Sequence, residues 1–165
     1  MSIMLFLAAV AGAASPTPAK AAAFEFRDWR VHDQHRADDP RLQRCVTIPA
    51  GTACAFTDNR IAGVAARQIG AAFGRDGLFA LEAKFAASDA AVVEAALRDR
   101  YGAPCESRTE HPRQLMTGDK LARLVRVWCF ADGRATFMSM TDRRSEASFE
   151  FATRDAPRQA AVRDF

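Results

Sequence analysis

The chain has 165 residues, is 49% hydrophobic and 26% charged, and carries a formal net charge of +3. That length suits one domain with its own core, and so small a charge excess offers no electrostatic basis for a nucleic-acid partner. Lys20, Lys84 and Lys120 are the only lysines, so nearly all the positive charge is arginine. Arginine grips carboxylates and phosphates through a forked guanidinium, although a general bias towards Ala and Arg explains the count as well.

The opening run, residues 1–14, is apolar and uncharged, and a small Pro-containing spacer follows it. Ala19-Lys20-Ala21 and Ala21-Ala22-Ala23 both fit a small-x-small cleavage pattern. Residues 1–23 therefore read as a secretory signal peptide. The run is shorter than the roughly 20 residues of a spanning helix, and no lysine or arginine precedes it. The mature chain is expected to begin between Ala22 and Phe24, to lack a transmembrane segment and to lie in the periplasm or outside the cell.

Residues 24–153 read as a single α+β domain, with a frayed tail at 154–165. Phe24 and Phe26 alternate with charge, and Trp29 and Val31 continue after a change of phase, which predicts one strand with a bulge near Asp28. The polar stretch 32–41 predicts an exposed loop. Two short strands over 42–57 flank Pro49-Ala50-Gly51, a turn that sets Cys45 opposite Cys54. Asp58-Asn59-Arg60 is read as a turn, Ile61 to Phe73 as a strand, and Gly74 to Gly77 as a tight connection.

Leu78 to Phe85 alternates most cleanly. Phe79, Leu81, Ala83 and Phe85 are expected on one face, with Glu82 and Lys84 on the other. A helix over about 88–101 follows, with Ser88 as its cap and Asp89 at its positive end. Its apolar stripe is Val93, Ala96, Leu97 and Tyr101, Glu94 pairs with Arg98, and Gly102 and Pro104 stop it. Residues 106–119 are polar and turn-rich, 120–130 a strand, Asp132-Gly133 a hairpin turn and 135–140 a strand. After a turn at 142–144, Ala147, Phe149 and Phe151 alternate with Glu146, Ser148 and Glu150. The sum is an antiparallel sheet of about five to seven strands with one main helix on one face.

Cys45, Cys54, Cys105 and Cys129 form an even set in a chain with an export signal, where disulfides persist. The pairs Cys45–Cys54 and Cys105–Cys129 each bracket a hairpin. Irregular spacing and the lack of Cys-x-x-Cys argue against a zinc site.

The sequence holds no Gly-x-Ser-x-Gly elbow, no phosphate-binding glycine loop and no His-Glu-x-x-His, and no cofactor is expected. His32 and His35 with Asp38 could ligate a divalent metal, but a solvated polar loop is the simpler reading of the same residues. Arg123 and Arg126 interrupt an apolar strand; they either pair with Glu82, Glu146 or Glu150 or line a groove for an anionic ligand.

The strand, the helix ending Tyr101-Gly102-Ala103-Pro104 and the later Trp128 resemble small uncharacterised exported proteins of Gram-negative bacteria, over roughly residues 61–153. That resemblance implies an envelope location and no particular activity. The segment from Phe26 to Val31 is also similar to one in an exported invasion-associated family, whose pattern the later chain does not follow. The expectation is an exported binding or accessory protein without catalysis, whose partner is an envelope protein or cell-wall component. The alternatives are a small metal-dependent enzyme or hydrolase using the His32/His35 loop, and an inhibitor of a secreted enzyme.

Overall fold

A computed structural model describes residues 22–34, 38–111, 122–140 and 146–156. Residues 1–21, which hold most of the expected leader, His35, residues 112–121, the turn expected at 142–144 and the end of the tail lie outside the described residues.

The chain is built mainly of antiparallel sheet. A hairpin of β1 (Glu25–Phe26) and β2 (Trp29–Arg30) precedes β3 (Leu42–Ile48), β4 (Gly51–Phe56), β5 (Arg60–Ile61), β6 (Val64–Gly74) and β7 (Gly77–Ala86). One turn of 3-10 helix leads into α1 (Ala90–Tyr101). Then come β8 (Glu106–Glu110), β9 (Arg123–Cys129), β10 (Gly133–Met140) and β11 (Glu146–Thr153). Strand order in the main sheet is β3-β4-β6-β7-β11-β10-β9-β8, with β5 paired to β6. The first meander ends at β7. The helix then carries the chain to the far edge, and β8 to β11 walk back until β11 pairs with β7.

The expectation of five to seven strands under an α+β label is thus corrected, among the described residues, to a nine-stranded sheet with one twelve-residue helix. Three local misreadings account for most of the difference. Residues 106–110, read as a polar loop, form edge strand β8 against β9. Charged side chains are stable there because an edge faces water and discourages further pairing. Arg27 and Asp28 (φ 49° and 69°) make a two-residue turn, so the phase change at Asp28 marks a reversal of the chain and not a bulge. Such positive φ at both central residues defines the mirror-type hairpin turn. Ala62 and Gly63 (φ 53° and 78°) reverse the chain again between β5 and β6.

One face of the sheet carries the main core. Phe56, Ile69, Phe73, Leu81, Phe85, Trp128, Phe137, Phe149 and Phe151 are buried in it. Two covers lie over this face. The N-terminal hairpin brings Trp29 edge-on to Phe56 at 5.8 Å, and α1 contributes Ala90, Val93 and Leu97. The covers meet where the Tyr101 hydroxyl donates to the Glu25 carbonyl oxygen at 2.7 Å. Ser88 does not cap the helix: it lies within the 3-10 turn, and Asp89 at the N-cap position makes no side-chain capping bond. Gly102 ends the helix at φ 79°, with its N–H donating to the Arg98 carbonyl.

Phe79 departs from its expected face. The β6–β7 register shifts between Ala72 and Phe73, so Leu78 points to the main core. Phe79 joins Ala53, Ala72 and Ala80 on the opposite face. A one-residue bulge moves a side chain across a sheet in this way. The two disulfides are Cys45–Cys54, joining β3 to β4 at a bulge, and Cys105–Cys129, joining the chain before β8 to the end of β9.

Candidate functional site

Two concavities stand out, one at an end of the sheet and one on its outer face. The end cleft, about 530 Å³, lies among the β6–β7 turn, the residues after β2, the β9–β10 turn and the end of β11. Its shape is fixed by backbone contacts. Leu78 N–H donates to the Asp33 carbonyl at 3.1 Å, Phe130 N–H to Gly133 at 2.9 Å and Arg154 N–H to Asp132 at 3.3 Å. Gly77 (φ 100°) lets the β6–β7 turn press against residues 31–33, for a Cβ there would lie 2.7 Å from the His32 carbonyl carbon. The lining mixes Leu78 and Phe79 with His32, Arg75 and Arg154 on one hand and Asp76, Asp132 and Asp155 on the other. A cleft of this size with apolar floor and opposed charges suits a polar ligand or a side chain of a partner.

The outer-face hollow, about 250 Å³, is bounded by Glu82, Lys84, Arg123, Met138, Met140, Glu146, Ser148 and Glu150. Glu82 and Glu150 stand opposite each other on β7 and β11. Lys84 Nζ lies 3.1 Å from Glu82 Oε1, and the Ser148 hydroxyl donates to Glu150 Oε1 at 3.3 Å.

The structure separates the two arginines proposed for an anion. Arg126 lies on the helix side, where its Nε is 3.1 Å from Glu94 Oε1, both side chains being only 18% exposed. Arg123 lies on the outer side and pairs with Glu110 of β8. Their ion pairs are made with carboxylates of α1 and β8, and Arg123 also borders the hollow shared by Glu82, Glu146 and Glu150. Along β8, Arg108 bonds both Glu106 and Glu110. Hydrogen bonds from Arg108, then Arg123, hold the Glu110 carboxyl below its ordinary range.

His32 is exposed at the rim of the end cleft, and Asp38 is exposed on its loop. His35 lies outside the described residues. Among the described residues no three His, Cys, Asp or Glu side chains gather to hold a metal ion. Cys105 and Cys129 are oxidised to a disulfide, which leaves neither as a thiolate nucleophile. The end cleft was not foreseen, because its walls come from four separated turns. Gly74 to Gly77 and Asp132-Gly133 signalled two of those turns. Among the described residues no helix is long and apolar enough to cross a membrane. No family model, curated protein or solved structure matches the chain.

Proposed function

We propose that this chain is an exported binding or accessory protein of the cell envelope, acting without catalysis, with the end cleft as its recognition surface. The observation that carries the reading is the pair of disulfides, one near each edge of the sheet. Crosslinks of this kind persist in oxidising compartments, which supports the export inferred from the apolar leader. The cleft supports binding because its walls are preorganised by backbone bonds and offer both signs of charge around Phe79. The partner class is an envelope protein or cell-wall component.

The test is affinity capture by the oxidised protein from a Gram-negative envelope extract, beside an Arg75→Glu/Arg154→Glu chain. Both arginines are exposed at the cleft, so the exchange reverses local charge with little expected effect on folding. A partner retained by the wild type and lost by the variant supports the reading. Identical recovery on both overturns the cleft as the recognition surface.

A further inference from the structure

We infer that the peptide bond between Ala23 and Phe24 is a processing site, and that the α-ammonium released on Phe24 pairs with the carboxylate of Asp132. This rests on the export reading above. Phe24 N lies 3.1 Å from Oδ1 and 3.0 Å from Oδ2 of Asp132. A peptide nitrogen has one hydrogen to divide between those oxygens, whereas an ammonium has three and can aim one at each. Charge on both partners also strengthens the bonds. Among the described residues, the lysines and arginines that form ion pairs do so with other carboxylates, so Asp132 has a place for a cation.

The nitrogen is held where it is. The Phe24 ring is 0% exposed, stacked on Phe151 with centroids 3.7 Å apart and edge-on to Phe130 at 5.2 Å. Asp132 is anchored in its turn by the bond its carbonyl accepts from Arg154. Ala22 and Ala23 are exposed while Phe24 is buried, so side-chain packing begins at Phe24. Ala21 and Ala23 are the small residues of one leader-cleavage pattern ending at that bond. Cutting after Ala21 instead would keep the 3.1 Å bond from Ala131 N–H to the Ala22 carbonyl, but would leave Phe24 N an amide.

The step is a hydrolysis by a leader peptidase of the exporting cell. Water's oxygen bonds to the Ala23 carbonyl carbon, the C–N bond breaks, and the leader ends in a carboxylate. The nitrogen leaves on Phe24 and takes up protons to become the ammonium. The new terminus then locks into place as the domain folds around the Phe24 ring.

The experiment expresses the full chain in a Gram-negative host, recovers the soluble envelope fraction and determines the first residue by intact mass and peptide mapping. The protein is then acylated with acetic anhydride, folded and in urea, and labelling of the α-amine is followed. The expected result is a chain beginning at Phe24 whose α-amine reacts roughly tenfold more slowly when folded. Asp132→Asn should remove most of that protection. Protection in the wild type is informative even where that variant does not fold. A chain starting at Ala22 overturns the processing site while export stands. A Phe24 amine that reacts equally fast folded and unfolded overturns the pairing. Retention of Met1 overturns the export reading and this inference with it.

Discussion

Removing the Cys105–Cys129 bridge isolates its contribution to stability unusually well. Both cysteines are exposed, so replacing them by alanine removes the crosslink with little loss of buried surface. Their sequence separation is 24. On the chain-entropy treatment, a closed loop of about 25 residues stabilises the folded state by about 3.5 kcal/mol. For Cys45–Cys54, separated by 9, the same treatment gives about 2.7 kcal/mol. There Cys54 is wholly buried, so lost packing adds to the cost. The assay is equilibrium urea unfolding of the oxidised wild type and of Cys105→Ala/Cys129→Ala. With a slope of about 1–3 kcal/mol per molar urea, the midpoint should fall by more than about 1 M. A fall below about 0.3 M at unchanged slope would refute the reasoning, because the open chain would then lose no more order than the crosslinked one.

The single tyrosine gives a clean pH test. Burial chiefly, with the nearby Glu25 charge, pushes the Tyr101 phenol from 10.0 up to about 12, against the opposing influence of Arg100. Its contribution to stability should therefore be complete below pH 10 and be lost as pH rises through about 12. Ultraviolet phenolate absorbance should titrate at the higher value folded and the ordinary value in urea; coincident curves contradict the buried placement. Gly133→Ala would press a methyl against the Ala152 carbonyl and within 2.8 Å of the Phe151 ring. The expected loss is about 1–3 kcal/mol, read as a lower urea midpoint, and an unchanged midpoint counts against the tight β10–β11 approach. Trp128→Phe removes the 2.8 Å bond from Nε1 to the Gly102 carbonyl at the helix end. It should cost about 1–3 kcal/mol in the same assay, and a neutral result would show that this bond does not tie α1 to β9.

The parts of the fold visible in sequence are those where local signal and tertiary need coincide. The helix is one: Val93 and Leu97 recur at helical spacing, and Gly102 with Pro104 stops the run, so its body and end were legible. Its start was not, since Ser88 offered a capping side chain that the 3-10 turn does not use. In β7, Leu81, Ala83 and Phe85 keep the alternating face, but Phe79 is moved across by a bulge that alternation alone cannot reveal. Strand β8 failed for the opposite reason. Its Glu106, Arg108 and Glu110 read as loop, and only pairing with β9 makes that charged stretch a strand.

The sites divide along similar lines. The turn at Pro49-Ala50-Gly51 sets Cys45 opposite Cys54 locally, whereas Cys105 and Cys129, 24 residues apart, meet through the pairing of β8 with β9. Arginines inside an apolar strand signalled that partners were needed, but Glu94 and Glu110 come from neighbouring elements in space. The end cleft draws on four turns far apart in sequence, and the contact of Phe24 N with Asp132 spans 108 residues.

Export into an oxidising compartment is the central claim, and fractionation joined to non-reducing peptide mapping tests it most directly. The full chain should be found in the periplasmic fraction, yielding crosslinked peptides for Cys45–Cys54 and Cys105–Cys129. Recovery in the cytoplasm with all four thiols free would contradict it.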